Sequence, residues 1–262
     1  MQCRICGQPT RSLFRKLVLR KHEVEYFQCP SCSFIQTEEP YWLAEAYSSA
    51  ISDLDLGPVD RAIRGARMVE GIIFAAFDPD AKFIDWGGGY GVFTRLMRDT
   101  GYNFHWSDRY CQNLFAKQFA ADPNGSYELL TAFEVFEHLV DPLAEISTML
   151  ERSKSILFTT QVSPVERGAL DDWWYLTLEH GQHVSFYSLK SLQVLAEKFG
   201  LHLTSDGGDT HLLSPKQVPD RLFKTITRDG RAAWLWRRLK VRKLRPRSRL
   251  ISDFRAVTGW NV

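Results

Sequence analysis

The sequence predicts an α/β fold, a doubly wound and mostly parallel sheet with helices on both faces, preceded by a small cysteine-rich module. Between residues 83 and 199, apolar runs of strand length alternate with amphipathic runs of helix length. That rhythm is typical of a parallel sheet covered by helices. Two short apolar runs flank Gly207-Gly208 and predict a terminal antiparallel hairpin. Two Cys-x-x-Cys pairs precede all of these segments.

Composition excludes several classes of protein. Of the 262 residues, 44% are hydrophobic and 24% are charged, which excludes a disordered chain. No apolar run approaches the roughly 18 residues of a membrane-spanning helix. The first residues lack the apolar core of a signal peptide, so we expect a cytoplasmic protein. In that reducing compartment, the five cysteines are not expected to form a disulfide framework.

Residues 1–38 are predicted to form a zinc ribbon. Its ligands would be Cys3, Cys6, Cys29 and Cys32, two pairs that can each hold one side of a tetrahedral ion. Four thiolates leave no open position, so the zinc would be structural. Four unrelated core thiols are the competing interpretation. A redox pair is disfavoured because neither Cys-x-x-Cys opens a helix after a buried strand.

Residues 39–78 are predicted to be a linker and a helical cap. Apolar side chains recur at close to 3.6-residue spacing over 59–77, which indicates an amphipathic helix. Asp78-Pro79-Asp80 ends it.

Residues 79–214 carry the alternating pattern. The predicted strands are 83–86, 102–107, 127–133, 155–160, 201–205 and 210–214. The predicted helices are 93–100, 110–121, 142–150 and 189–199. Asp141-Pro142 begins one of these helices and Gly200 ends another.

A glycine-rich turn joins the first of these strands to its helix. Asp85 precedes Gly87, Gly89 and Gly91, and Asp108 ends the next strand. Glycines allow close approach of backbone to a ligand, and an acid after the second strand can accept both hydroxyls of a ribose. The nicotinamide-type pattern G-x-G-x-x-G fits poorly here, although a domain for another nucleotide remains an alternative.

These motifs resemble class I S-adenosylmethionine-dependent methyltransferases, over about residues 79–214. The resemblance implies a Rossmann-like sheet and S-adenosylmethionine as the cofactor. It also implies that the methionine end is lined by Asp85, Gly87 and Gly89, that Asp108 binds the ribose, and that the strand ending near Phe133 borders the cofactor.

A second motif follows Phe133. Glu134, Glu137 and His138, with His183 downstream, look like the divalent-metal site of small-RNA 2′-O-methyltransferases and ubiquinone-biosynthesis O-methyltransferases. There, Mg²⁺ or a similar ion such as Mn²⁺ would polarise the acceptor hydroxyl. The alternatives are a metal-free brace above the cofactor, or a general base, with His138 or His183 ahead of His180.

Residues 171–175 read Asp-Asp-Trp-Trp-Tyr and lie where this fold covers its substrate. The aromatic rings suit stacking on a sugar or planar acceptor, or they pack among themselves.

The tail, residues 215–262, is basic. Within 219–249, twelve Lys and Arg face two Asp, which leaves a net charge of −8 on the rest of the chain. Trp234, Leu235, Trp236 and Leu239 lie among these charges and suit an anionic membrane surface, which would place the protein at the inner membrane face. A solvated tail is the alternative, and nucleic acid is a less favoured partner.

The chain also resembles bacterial methyltransferases of this class that modify sugars or cell-surface saccharides. The leading function that this resemblance implies is O-methylation of a saccharide or another small hydroxyl acceptor. The first alternative is an RNA methyltransferase that uses the ribbon and the basic tail, although the negative body would repel RNA. The second is a non-catalytic zinc-ribbon interaction protein.

Overall fold

The computed structural model describes residues 1–48, 56–228, 230, 235–236, 241 and 246–260. The chain divides into two compact units. The first comprises Met1–Ser52, Phe133–Leu150 and Phe158–Gln217, and the second Asp53–Ala132, Glu151–Leu157 and Val218–Val262.

The strands, in chain order, are β1 Arg11–Val18, β2 His22–Gln28, β3 Ile35–Thr37, β4 Lys82–Trp86, β5 Asn103–Ser107, β6 Leu129–Phe133, β7 Ile156–Thr159, β8 Ser185–Phe186, β9 His202–Ser205 and β10 Thr210–Ser214. The helices of the described residues are α1 Leu43–Ala46, α2 Pro58–Ala76, α3 Val92–Asp99, α4 Pro142–Arg152, α5 Arg167–Asp171, α6 Leu189–Lys198, α7 Asp220–Thr227 and α8 Leu250–Thr258.

A six-stranded sheet has the order β5-β4-β6-β7-β10-β9. Strand β4 pairs in parallel with both β5 and β6, whereas β10 and β9 pair antiparallel as a hairpin. Apolar side chains at Phe83, Ile84, Leu129 and Leu130 are fully buried, as expected for central strands with both faces covered. The predicted fold class, including the terminal hairpin, is confirmed.

The second sheet, which lies in the first unit, has four strands in the order β1-β2-β3-β8. Its pairings are antiparallel throughout. Leu13, Val24 and Tyr26 lie on its buried face, while Ser12 and Glu23, next to them along the strands, are exposed. This alternation is the sequence pattern of a half-buried antiparallel sheet.

Helix α2 matches the helix predicted over 59–77. Pro58 occupies its first turn, where a missing N–H costs nothing, and Val69, Ile72 and Ile73 are fully buried. Helix α3 begins directly after the glycine turn, with Gly91 as its N-terminal cap.

The helix predicted over 110–121 is wrong. This stretch contains only a 3₁₀ turn at Lys117–Phe119. The Asp108 side chain accepts hydrogen bonds from the backbone N–H groups of Tyr110 and Cys111, and that of Asn113 accepts one from Ala116. Side-chain acceptors that capture backbone donors in this way compete with helix formation.

Ion pairs of Asp253 with Arg95 and Arg98 hold helix α8 in the second unit. The Asp253 carboxylate, 6% exposed, accepts hydrogen bonds from both Arg95 and Arg98. Arg98 also lies 3.6 Å from the centre of the Phe119 ring. Within the described residues, no helix is both long enough and apolar enough to cross a bilayer.

Candidate functional sites

Asp85, at the end of β4, lies beneath the glycine turn of the second unit. Its carboxylate is 3% exposed and accepts hydrogen bonds from the hydroxyls of Thr94 at 2.9 Å and Thr131 at 3.3 Å. Burial raises the pKa of Asp85 to about 7, against the lowering effect of those hydroxyls. The side chain therefore supports the turn from inside.

The turn itself depends on close packing. A Cβ atom on Gly88 would lie 2.6 Å from Asp85 Oδ2 and 2.8 Å from Trp106 Cδ1, so only glycine fits there. Gly87 and Gly89 have φ angles of 69° and 54°, the left-handed region that favours glycine. The Trp106 indole N–H donates to Gly89 O at 2.8 Å. These contacts hold the backbone in one shape ahead of α3.

Asp108 joins the turn to the loop that follows β5. Its Oδ2 accepts the N–H of Gly89 at 2.9 Å, and its Oδ1 accepts the N–H groups of Tyr110 and Cys111. A carboxylate offers about four lone-pair positions, so acceptor capacity remains for a ligand hydroxyl. Asp108 thus shapes the loop through its contacts with backbone N–H groups.

In the first unit, Glu137, His138 and His183 form a compact cluster. One potential ligand atom from each lies within 4.8 Å of the others. Glu137 is fully buried, and neither of its oxygens has a hydrogen-bond partner among the described residues. Burial, and then the nearby Glu134 charge, raise the pKa of Glu137 well above its usual value. The nearby hydroxyls of Tyr175 and Thr160 lower the pKa of Glu137, although neither forms a hydrogen bond with its carboxylate.

Both histidines point the same ring nitrogen at a backbone carbonyl. His138 Nδ1 lies 3.2 Å from Gln182 O, and His183 Nδ1 lies 2.8 Å from Tyr175 O. Because a carbonyl only accepts, each Nδ1 carries the proton and each Nε2 keeps its lone pair. Burial lowers the pKa of His138 to about 4 and that of His183 well below its usual value, so both rings are neutral.

This donor set fits a divalent ion. Two neutral imidazoles whose Nδ1–H is held by a carbonyl, together with a buried carboxylate, are the ligands that such ions take in proteins. An ion would also stabilise the ionised form of Glu137, which is otherwise costly to bury.

The other predicted residues of this motif lie outside the cluster. Glu134 has φ of 52°, and its Oε1 accepts the Thr159 hydroxyl at 2.7 Å. Phe133 ends β6 and is half-buried. His180 donates its backbone N–H to Thr177 O, and its ring does not belong to the Glu137–His138–His183 cluster.

The four cysteines of the predicted ribbon come together. All four sulfurs lie within 4.8 Å of one another, with Cys3 and Cys32 3.6 Å apart and Cys6 and Cys29 3.4 Å apart. Sulfurs around a tetrahedral zinc, at about 2.3 Å from it, lie about 3.8 Å apart. Hydrogen bonding from Cys32 lowers the pKa of the Cys3 thiol to about 5. The donor set and spacing therefore fit a structural zinc.

The aromatic loop divides between core and surface. Tyr175 is buried, Trp173 packs against it with ring centres 5.4 Å apart, and Trp174 is 69% exposed. The Trp174 ring also packs edge-on against Tyr175, with ring centres 5.3 Å apart, and keeps most of its surface exposed.

The tail residues proposed for membrane contact are only partly described. Trp234 and Leu239 lie outside the described residues. Leu235 is half exposed, but the Trp236 ring packs edge-on against Phe74 of α2, with ring centres 5.5 Å apart. Trp236 is thus engaged by the protein.

Several site residues escaped sequence reasoning. Thr94 and Thr131 bind Asp85, and Tyr47 lies 3.0 Å from His138 Nδ1. Tyr175 and Gln182 orient the histidines through backbone carbonyls. Backbone carbonyls carry no side-chain signature, so sequence alone offers no signal for the last two.

Residues 61–206 match the model of a protein family described as a methyltransferase domain. This match spans more than half of the chain. The chain belongs to this methyltransferase-domain family. No curated protein matches its sequence.

Solved structures with a similar fold include further methyltransferases. One is the 1,6-didemethyltoxoflavin-N1-methyltransferase of Burkholderia thailandensis, 13% identical with a TM-score of 0.47, covering 72% of this chain and 93% of that one. Another is CalO1, a methyltransferase in calicheamicin biosynthesis, 12% identical with a TM-score of 0.42, covering 67% and 60%. A third is an O-methyltransferase family 2 protein from Planctomyces limnophilus, 13% identical with a TM-score of 0.42, covering 66% of each chain. This methyltransferase-domain protein spans 60% of the length of CalO1.

Proposed function

We propose that the protein transfers a methyl group from S-adenosylmethionine to a hydroxyl group of a small acceptor, a saccharide being the first candidate. The observation that carries this proposal is the Glu137–His138–His183 cluster, in which one potential ligand atom from each of two imidazoles and a carboxylate lie within 4.8 Å of one another. Membership of the methyltransferase-domain family supports the reaction class.

The glycine turn is the proposed cofactor site. Gly87 and Gly89 let the backbone approach the methionine end of the cofactor, and Asp108 accepts hydrogen bonds from the ribose hydroxyls. Asp85 acts on this site by holding the turn, because its carboxylate is occupied by Thr94 and Thr131. Phe133 is proposed to border the cofactor.

The cluster is proposed to hold a divalent ion such as Mg²⁺ or Mn²⁺. The ion would lower the pKa of an acceptor hydroxyl as a Lewis acid. Glu137, His138 and His183 would hold it, while the Gln182 and Tyr175 carbonyls keep each Nε2 unprotonated. Glu134, whose carboxylate contacts Thr159, would contribute charge nearby. Without an ion, His138 or His183 would act as a general base on the acceptor.

Labelled S-adenosylmethionine incubated with saccharides, lipid-linked sugars, small phenols and RNA tests the reaction. Methyl transfer to saccharides or small hydroxyl acceptors is expected. Glu137→Gln, His138→Ala and His183→Ala should each lose most turnover, and Glu134→Gln should lose less. His202→Ala, at the exposed first residue of β9, is the matched control. Activity in all three cluster variants would refute a catalytic role for the cluster.

Chelation separates the two versions of catalysis. If an ion is used, EDTA should abolish turnover and Mg²⁺ or Mn²⁺ should restore it. If an imidazole is the base, chelation should have little effect and one histidine should dominate, with roughly 10²–10⁴-fold loss on its removal.

The same assays address the alternatives. Methylation of RNA alone would favour the RNA methyltransferase. Absence of S-adenosylmethionine binding in calorimetry would favour a non-catalytic interaction protein.

Zinc is proposed at Cys3, Cys6, Cys29 and Cys32. The spacing of their sulfurs supports this, and such an ion would contribute folding energy directly. Elemental analysis of the purified protein is expected to give about one zinc per chain. A folded ribbon without zinc would contradict the assignment.

Contact with an anionic membrane is proposed through the exposed apolar side chains of α8. Leu250, Ile251 and Phe254 are exposed there beside Arg255, and this mixture suits the interface. Liposome flotation of the protein and of a Leu250→Ser/Ile251→Ser variant tests it. Equal flotation would leave the solvated tail.

A further inference from the structure

Residues 1–48 carry the four cysteines and form what we call the cysteine module. This module supplies a neighbouring strand for the segment that follows His183. Strand β8 pairs with β3, with Ile35 opposite Phe186 and Gln36 opposite Ser185. The Thr37 N–H donates to Val184 O at 3.1 Å. A strand of only two residues has little stability of its own, so β8 depends on the cysteine module for its place.

One apolar core joins this module to the segment 170–186. Its fully or nearly fully buried members include Val24, Tyr26, Ile35 and Trp42 from the module and Leu170, Tyr175, Leu176, Val184 and Phe186 from the segment. Close-packed cores transmit displacement, because their side chains have few alternative positions. Movement of the module therefore moves the carbonyl of Tyr175, which orients His183.

Three further hydrogen bonds connect the same two parts. Ser188 Oγ donates to Cys32 O at 2.9 Å. A backbone group of a predicted zinc ligand thus contacts the residue two positions after the segment 170–186. The Trp42 indole N–H donates to Gly181 O at 2.7 Å, and Gln182 Nε2 donates to Ala46 O at 2.8 Å. Both Gly181 and Gln182 directly precede His183.

The module also reaches the cluster itself. The Tyr47 hydroxyl lies 3.0 Å from His138 Nδ1, beside the Gln182 carbonyl at 3.2 Å. On the other side, the Val184 N–H donates to Glu137 O at 2.8 Å. Each of the three cluster residues is thus tied to the module directly or through the segment 175–184.

We propose that the cysteine module is a positioning element for the Glu137–His138–His183 cluster, with Tyr47 as its positioning residue on His138. Zinc binding folds the module, the module fixes β8 and the segment before it, and the carbonyls of that segment set which ring nitrogen carries the proton. Loss of the zinc would therefore disorganise a site to which the cysteines contribute no ligand. The link to catalysis rests on the function proposed above, whereas the positioning itself does not.

Long-range ¹H–¹⁵N spectra of the histidine rings test the positioning in the zinc-loaded full-length protein. His138 and His183 are expected as Nδ1–H tautomers. His211 is the internal control, because its Nε2 lies 3.0 Å from Thr160 O and its Nδ1 2.8 Å from Ser205 Oγ, which predicts the Nε2–H tautomer. Release of zinc with a mercurial should average the signals of His138 and His183 and leave that of His211. Unchanged signals of the first two after zinc release would overturn the proposal.

A milder variant covers the case in which zinc release unfolds the whole unit. Tyr47→Phe removes one hydroxyl, and Tyr41→Phe, whose ring is 61% exposed, is the matched control. Tyr47→Phe should change the His138 ring shifts and weaken Mn²⁺ binding about 10-fold, as loss of a partner behind a ligand does, whereas Tyr41→Phe should do neither. Identical His138 spectra in the two variants would overturn the role of Tyr47. The spectra need neither added ion nor turnover, so this result stands apart from the proposed reaction.

Discussion

His183 Nε2 lies 4.0 Å from Glu137 Oε1 while its Nδ1 is held 2.8 Å from the Tyr175 carbonyl. A neutral imidazole and a carboxylate with raised pKa therefore face each other without an ion pair. Between about pH 4.5 and 6.5, neither group is in the charge state that it would have in water. Burial of the Glu137 carboxyl is thus not compensated by a hydrogen bond within the described residues.

Glu137→Gln should stabilise the protein at pH 8 when no divalent ion is added. Because the folded-state pKa of Glu137 is raised, the folded protein holds a proton that the unfolded chain releases above about pH 4.5. The free energy of unfolding then falls as the pH rises toward the raised pKa. Urea unfolding at pH 5 and pH 8 measures this.

Glu128→Gln, which removes an exposed carboxylate, is the control. Added Mn²⁺ should stabilise the wild-type protein and not Glu137→Gln. If the free energy of unfolding depended on pH equally in the wild type and in Glu137→Gln, the pKa of Glu137 would not be raised in the folded protein.

Asp85→Asn should remove a separate part of the pH dependence. Its folded pKa of about 7 lies above the ordinary value of 3.8, so stability is lost as the pH rises between these values and is constant above them. At about 1.4 kcal/mol for each pH unit, this amounts to roughly 4 kcal/mol. The difference in unfolding free energy between pH 4 and pH 8 should be smaller in the variant by that order.

Thr94→Val provides the complementary measurement. Loss of the hydroxyl that stabilises the Asp85 carboxylate should raise the pKa further and extend the loss of stability to higher pH. A Thr94→Val profile that matches the wild type would contradict this account.

Gly88→Ala should weaken S-adenosylmethionine binding. The new Cβ would meet Asp85 Oδ2 at 2.6 Å and force the turn or the buried carboxylate to move. We expect a loss of at least 10-fold in affinity, measured by calorimetry, and a loss of stability of 1–3 kcal/mol, typical of an overpacked site (~2 kcal/mol). Gly168→Ala, where a Cβ meets nothing within 4 Å, should change neither.

The sequence predicts those features that are local. The cysteine spacing, the helix α2 and the glycine turn before α3 all follow from patterns within about twenty residues of chain. The helix predicted over 110–121 failed because the side chains of Asp108 and Asn113 take its backbone donors, a choice that hydrophobic periodicity does not register.

Contacts between distant segments were not predictable. Strand β8 has two residues and no strand pattern of its own, and it exists because β3 offers it a free edge. The predicted metal ligands illustrate the same point. Glu137, His138 and His183 were predicted from a family resemblance, but the position of Glu134 against Thr159 depends on a backbone with positive φ that the sequence does not reveal.

Asp253→Ala should be among the most destabilising single changes in the second unit. It would leave the guanidinium of Arg98, 4% exposed, without its carboxylate partner, and breaking a buried pair in this way costs about 3–5 kcal/mol. Asp99→Ala removes the other carboxylate near Arg95. Because the Asp99 side chain is 40% exposed, this change should lower the free energy of unfolding by only about 0.5 kcal/mol. Chemical denaturation compares the two variants. The double variant Arg98→Met/Asp253→Leu should recover part of the loss, because an apolar pair carries no unpaired charge. If Asp253→Ala and Asp99→Ala were equally mild, α8 would be held by its other contacts and the ion pair would not anchor it.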